Sequence, residues 1–586
     1  MELVDLGKPS NCFKFSFRNV SLNKQLAGKQ SQDEGLKILE NVSGLFASGR
    51  MVCILGPSGA GKSSLLNVLS GHKQTGASGQ IFFEGRLLNK RLQRKLVSYT
   101  PQSASLWMNL TAQECLEYAC DFKLATKSSK YEKISTVRRV LENIGLQKCS
   151  ETMVKNLSGG ELKRLSIGVE LVSDPKVMLL DEPTSGLDVI SSYQLLSYVQ
   201  EVARFQNRAV VCVIHQPSSK LLQLFNDVFV LSGGKQIYSG SLETMVDTFA
   251  RFDFNCPVSH NPADFALEIA SMDQTEPRLQ HLMDFQEPSV EMTTKINTEI
   301  VDDFQISYPL ESHDQFRILL KRSLLCTFRD LYNVTARFII CTIISFLIGL
   351  VFYDSGNNAS KLLMNTAVFM AIIYTQCFTS LFSTIITFPL EADVFIREYK
   401  NNWYSLGPYY CAKLASEIPA VILSGTVFYL ISYYLTGQPW ELHRLLLFWT
   451  ACFLATWISV LTGLMLSNFF ALPSAIFGSV IVVLLTSLFS GFYVTLTDMG
   501  WWLKPFSYLS YVRYALEVGF HAIYGLGRRE IECPDIFCYF TLRKFCKVWG
   551  MPELDWSTDL LALVAYCVAM HFGLYFVLSR RIRLEV

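Results

Sequence analysis

The chain has 586 residues, more than a single core can hold, so at least two domains are expected. Half of it is hydrophobic, only 18% is charged and the mean hydropathy is +0.26, too apolar for an all-soluble protein of this length and too charged for an all-membrane one. A net charge of +1 with no acidic or basic tail argues against nucleic acid as a partner.

The charge is segregated, most of it falling in roughly the first 330 residues. The opening MELVDLGKPSNCFKFSF lacks the basic start and apolar run of a secretory signal, so the first domain is expected in the cytosol. Short apolar runs at 51–55 (MVCIL), 177–180 (VMLL) and 210–214 (VVCVI) read as buried parallel strands. Helical patterns separate them, as at 62–69 and 191–204, which implies a parallel sheet with crossover helices. From about residue 255 to 306 the pattern weakens, and the polar stretch after Asp273 reads as a linker. Residues 313–329 are amphipathic and precede the first long apolar stretch, as an interfacial helix would. Six apolar segments follow, near 336–353, 364–386, 417–435, 445–466, 472–493 and 557–578, each suited to a bilayer core of roughly 30 Å. An even count puts both ends on one side. Arg580, Arg581 and Arg583 after the last span, with Arg317, Lys321, Arg322, Arg329 and Arg337 at the first, place that side in the cytosol.

Three motifs in the first domain carry chemistry. Gly56-Pro57-Ser58-Gly59-Ala60-Gly61-Lys62-Ser63, with Ser64 next, follows a strand and opens a helix, the setting a phosphate-binding loop requires. Glycines let backbone amides approach phosphate oxygens, the helix N-terminus adds positive potential, Lys62 reaches the β- and γ-phosphates, and Ser63 binds Mg2+. The strand ending at Asp181-Glu182 offers one carboxylate for the metal and one to polarise an attacking water. Strands often end in acidic residues, so this pair alone is weak. Leu157-Ser158-Gly159-Gly160-Glu161 opens another helix whose N-terminus suits a γ-phosphate, although Ser-Gly-Gly alone is more often a turn.

In this order, with LLDEPTSGLD and a strand ending near His215, the motifs resemble those of ATP-binding cassette ATPases. The resemblance implies that Gln102, in SYTPQ, touches Mg2+ and signals to the membrane domain, that Asp188 is the aspartate of the loop after the second carboxylate, and that His215 contacts the γ-phosphate. It implies ATP and Mg2+ as cofactors. It further implies that ATP lies between the Gly56–Ser63 loop of one copy and Ser158–Gly160 of another, so the protein must dimerise. The ATPase-first order, with one domain of each kind, resembles the G subfamily (White family) of half-transporters. So do NPADF at 261–265, FIREY at 395–399 and SYVRY at 510–514. GFYV near 491 and SYVRYALE near 510 are most similar to the sterol- and lipid-exporting members. No clear adenine-stacking aromatic precedes the loop. Phe13, Phe15 and Phe17 are candidates that a strand's core face explains equally well.

The implied fold is an α/β nucleotide-binding domain (1–272), a linker (273–311) and an all-α six-helix transmembrane domain (312–586) with an extracellular region at 495–556. Matching the subfamily's second and fifth spans makes Phe378, Leu484, Ser487, Phe492 and Tyr493 candidates for the substrate path, the last two as a valve. Their alternative role is packing against lipid or neighbouring helices. Leu484 and Ser487 would share a helix face. Glu391, Arg397 and Glu398, at the cytosolic end of the second span, either relay ATPase motion through ion pairs or form a solvated loop. Cys533, Cys538 and Cys546 fall where disulfides persist. They allow three single pairings, each leaving one thiol that could link subunits. The expected protein is a multi-pass ATPase of the plasma membrane or an intracellular vesicle membrane that exports sterols or other amphipathic lipids as a homodimer. The alternatives are a heterodimer with another G-type half-transporter moving xenobiotics or pigment precursors, and a non-transporting regulator switched by ATP.

Overall fold

The computed structural model describes residues 12–24, 36–73, 75–103, 105–124, 129–257, 260–285, 308, 310–495, 498–528, 531 and 556–585. The chain divides into two compact units. The first comprises Met1–Ile318 together with Ile396–Ser405 and the last two residues, and the second comprises Leu319–Phe395 and Leu406–Leu584.

The first unit is built on a six-stranded sheet. Its strands run in the order Lys235–Ser241, Asp227–Ser232, Met51–Leu55, Ala209–Val213, Val177–Asp181, Val97–Thr100. All neighbouring pairs are parallel except the first, which is antiparallel. The three apolar runs expected as strands are the third, fourth and fifth in this order, each with a neighbour on both sides. Every residue in them is buried, as strands covered on both faces require. Because Met51–Leu55 is central, the glycine-rich loop leaves the carboxyl edge of the sheet beside the ends of Val177–Asp181 and Ala209–Val213, where open α/β sheets bind ligands.

A second sheet, antiparallel, orders Leu36–Ala47, Lys14–Lys24, Ala77–Phe83 and Arg86–Leu87. The alternation in KFSF puts Phe15 and Phe17 on its buried face. Phe46 links the sheets, its ring centroid 5.3 Å from Phe17 and 6.3 Å from Phe229 of the larger sheet. Gly44 makes that contact feasible, since a Cβ there would meet Phe17 Cζ at 2.6 Å. Phe13, Phe15 and Phe17 are therefore core residues, with Phe13 against Phe83 at 5.0 Å.

Part of the stretch that weakens after residue 255 folds. Pro262–Ala270 and Pro277–Asp284 are short helices, each with proline at its start, burying Ala263, Ile269, Leu279 and Leu282. The beginning of the expected 273–311 linker is thus part of the first unit. Residues 286–307 lie outside the described residues.

Among the described residues five helices are long and apolar enough to cross a membrane: Val334–Val351, Ala359–Lys400, Leu406–Leu435, Leu442–Phe469 and Trp556–Arg583. A shorter apolar helix, Leu472–Leu488, spans about 25 Å at 1.5 Å per residue. The amphipathic segment forms the Ser312–Arg329 helix. Several boundaries differ from expectation, the third helix beginning at Leu406 instead of 417, and two of the differences fall at candidate residues. The fifth apolar helix stops at Leu488, not 493, because Gly491 takes a left-handed φ of 84° and Ser490 Oγ accepts from Phe492 N at 3.3 Å, turning the chain. The second runs on to Lys400, so Glu391, Arg397 and Glu398 are helical and no solvated loop begins at 387. Beyond the fifth helix, Tyr511–Tyr524 is buried along most of its length. Its end is held by Arg444, whose guanidinium donates to the carbonyls of Ala522 (3.0 Å), Gly525 (2.7 Å) and Leu526 (3.0 Å). Cys533, Cys538 and Cys546 lie outside the described residues.

Candidate ATP site

The loop after Met51–Leu55 is shaped by its glycines. Gly56 (φ 154°) and Gly61 (φ 96°) adopt backbone that side chains disfavour, and neither has room for one. A Cβ would fall 2.4 Å from Leu231 O at the first and 2.7 Å from Leu39 Cδ2 at the second. Gly59 (φ 82°) faces open space. The helix Lys62–Leu69 has Gly61 at its N-cap, no side-chain cap and no acidic residue in its first turn, so its terminal amides keep their positive potential. Lys62 is buried, with Nζ donating to the carbonyls of Gly56 (2.7 Å) and Pro57 (2.9 Å). Burial presses its ammonium below the ordinary lysine range, and Glu182 and Asp181 oppose that.

Two carboxylates meet this loop. Asp181 accepts from Ser63 Oγ at 3.2 Å and Tyr99 Oη at 3.2 Å, and burial raises its carboxyl above the usual range against those two bonds. Glu182 sits at φ 46°, an uncommon conformation for a non-glycine residue, fixed by its N–H on Val213 O (3.1 Å). Its Oε2 accepts from Gln102 Nε2 at 2.7 Å, and the Gln102 carbonyl accepts from Lys163 Nζ. Lys163 belongs to the helix that Ser158 opens, so strand end, glutamine loop and that helix are joined.

A phosphate chain with Mg2+ suits what the residues offer: unfilled amides at a helix start, a buried lysine, one hydroxyl and two carboxylates, beside a glycine with open space. Pro57, Ser58, Ala60 and Ser64 supply backbone to the same loop.

The other candidates are placed differently. Ser158 caps the Gly159–Leu171 helix in a reciprocal box with Glu161. Gly159 has nothing within 4 Å of a hypothetical Cβ and no positive φ, so no neighbour within the chain explains its lack of a side chain. Gly160 faces Leu187 and Ser191. Asp188 caps the Val189–Phe205 helix through Ser191 N (3.0 Å), and these bonds lower its carboxyl. Next to it Val189 and Ile190 are 69% and 71% exposed. His215 is exposed in the loop after Ala209–Val213, preceding Gln216 at φ 47°.

Among the candidates at the end of the second long helix, Arg397 and Glu398 belong to the first unit. Both are buried. Glu398 accepts from Tyr404 Oη (2.7 Å) and Trp107 Nε1 (3.3 Å), and Arg397 lies over the Trp403 ring. Glu391 belongs to the second unit and accepts from Tyr409 Oη (3.0 Å) and Lys413 Nζ (2.5 Å). Sequence reasoning missed the hub of this region, Glu170. It accepts from Lys123 Nζ (2.7 Å), Ser98 Oγ (3.1 Å) and Asn401 Nδ2 (3.0 Å). A glutamate inside the apolar run SIGVELV was the available signal.

Phe378 stands between Tyr374 (6.1 Å) and Phe382 (4.4 Å) and is partly exposed. Leu484 and Ser487 both lie on the helix Leu472–Leu488, the first exposed and the second buried. Phe492 and Tyr493, outside the helix, pack edge to face at 5.2 Å.

A family model described as ABC transporter matches residues 39–185, and one described as ABC-2 type transporter matches 314–524. A second ABC-2 type transporter model matches 215–287. The Drosophila melanogaster protein scarlet is 28% identical over 584 residues, covering 93% of this chain and 86% of that protein. The Drosophila protein white is 28% identical, with 82% and 73% covered. The human ATP-binding cassette sub-family G member 8 is 29% identical, with 82% and 76% covered. The glycine loop, the carboxylate pair, the following membrane helices and these likenesses agree, and the chain belongs to the ATP-binding cassette transporters as a G-type (White family) half-transporter, a multi-pass membrane protein whose ATPase is coupled to transport.

Proposed function

We propose that the protein exports sterols or other amphipathic lipids, working as a dimer with two ATP sites. The observation that carries the ATP chemistry is the convergence of Ser63 on Asp181 (3.2 Å) and of Gln102 on Glu182 (2.7 Å) at the mouth of the glycine loop. In this reading Lys62 and the amides from Ser58 to Ser64 hold the phosphates, and Ser63, Asp181 and Gln102 hold Mg2+. Mg2+ would supply charge neutralisation at the phosphates. Glu182 is the general base that takes the proton of the attacking water, and His215 orients the γ-phosphate. Asp188 positions the helix beside Gly160.

The dimer reading is supported by the open space at Gly159 and by the exposed Val189 and Ile190, which begin the helix whose Ser191 faces Gly160. Apolar residues grouped on a surface mark interaction sites. A second copy's loop would bring ATP against Ser158, Gly159 and Gly160. Both termini are assigned to the cytosol from the basic residues flanking the first and last membrane helices. The nucleotide-binding domain is taken to extend past 272 through the helix Pro277–Asp284, with the membrane domain following, and Glu391, Arg397 and Glu398 are the proposed coupling residues.

The lipid cargo is supported by the aromatic set Phe378, Phe492 and Tyr493, which suits apolar molecules without naming one. Reconstituted vesicles test it. ATP-dependent transfer of a labelled sterol supports lipid export. ATP turnover indifferent to sterol, or co-purification of a different subunit, removes the sterol homodimer and leaves the transporter.

A further inference from the structure

Two residues before Phe378 on the same helix, Gln376 points about 200° away around the axis. Its side chain is 3% exposed, and its Nε2 has no hydrogen-bond partner among the described residues. It lines a narrow groove between the helices Leu362–Lys400, Leu406–Leu435 and Leu442–Phe469.

The rest of the lining is apolar or already satisfied. Trp449 Nε1 donates to Thr426 Oγ1 at 3.1 Å, and Thr456 Oγ1 donates back to Cys452 O at 2.7 Å. Gly425 keeps the space in front of the amide open, since the nearest atom to a Cβ there would be Gln376 Oε1 at 3.7 Å. Trp449 and Phe453 form a flat wall, their rings 5.5 Å apart and 8° from parallel. Ile422, also in the lining, is 39% exposed, so the groove opens at the outer surface of this apolar helical unit.

An unpaired amide in hydrocarbon is costly, and a ligand that completes it binds selectively. The lining holds no charged side chain to meet a phosphate, carboxylate or ammonium. A hydroxyl completes an amide in either orientation, accepting from Nε2 and donating to Oε1. We propose that this groove binds a neutral bilayer lipid whose polar end is a single hydroxyl, with the Gln376 amide on that hydroxyl and Trp449 and Phe453 against the apolar body. The site lies within one copy of the chain, on the other side of the helix from Phe378, and does not rest on the lipid-export reading.

The test uses the full chain in nanodiscs and two diazirine photoprobes with one hydrocarbon body, one ending in a hydroxyl and one in a methyl group. Adducts are mapped by peptide mass spectrometry. The hydroxyl probe is expected to label groove peptides about tenfold more than its partner at equal mole fraction. Gln376→Leu brings that ratio to about one, and Gly425→Leu, which fills the groove, lowers labelling by both probes. Equal labelling of the unsubstituted chain by the two probes overturns the proposal without any variant. A ratio that survives Gln376→Leu also overturns it, as does an unlabelled groove, in which case Gln376 holds only water.

Discussion

Asn401 Nδ2 donates to Glu170 Oε1 at 3.0 Å, joining the residue after the long Leu362–Lys400 helix to the end of the helix that Ser158 opens. The other Glu170 oxygen holds Lys123, whose side chain is buried and whose ammonium is pressed down by burial and held up by this carboxylate. Breaking a buried pair by removing one member costs about 3–5 kcal/mol, while replacing both members with neutral groups is far milder. Glu170→Ala is expected to lower the thermal midpoint of the full chain strongly, and Lys123→Met combined with Glu170→Gln to recover most of the loss. Melting of the three proteins in one detergent checks this. A double variant no better than Glu170→Ala alone would contradict it.

His72 supplies a pH prediction. It is buried edge-on to Tyr99 at 5.2 Å, bonded to Asn401, and burial holds its imidazole down to about 3. The unfolded chain takes up a proton below pH about 6.5, and the folded chain does not until about 3. Its contribution is therefore complete above 6.5 and is lost as pH falls, by at most about 1.4 kcal/mol per pH unit. Unfolding measured at pH 7 and pH 5 is expected to differ by up to about 2 kcal/mol more in the unsubstituted protein than in His72→Gln. Equal slopes would place the His72 imidazole elsewhere.

Gly159 separates folding from function. An aspartate in the first turn of a helix is favourable in itself, and the space around Gly159 is open, so Gly159→Asp is expected to leave the thermal midpoint within a few degrees. If ATP phosphates meet this turn in the dimer, the added negative charge repels them and ATP turnover falls by about tenfold or more. Turnover unchanged beside an unchanged midpoint would remove Gly159 from the site.

The parallel sheet was legible because its central strands are uniformly apolar and bounded by glycine, which only strands covered on both faces tolerate. The glycine loop and its lysine were legible because their spacing is itself the mechanism. The antiparallel sheet was hidden: KFSFRNVSLNK alternates, but its partners Leu36–Ala47 and Ala77–Phe83 are remote in sequence, and no local pattern announces the pairing. Glu170 and Asn401 were hidden for the same reason, being 231 residues apart. The fifth membrane helix was overrun because Phe492 and Tyr493 extend its apolar character past Gly491, where only the backbone angle marks the end.

The central claim is that Glu182 activates water in an ATPase that drives transport. ATP hydrolysis by the purified full chain in lipid nanodiscs, beside Glu182→Gln, tests it most directly. The side chain keeps its size and its place next to Gln102, while the base is lost. The account predicts retained binding of a fluorescent ATP analogue with turnover reduced about 10²-fold or more. Turnover at the unsubstituted rate would contradict it.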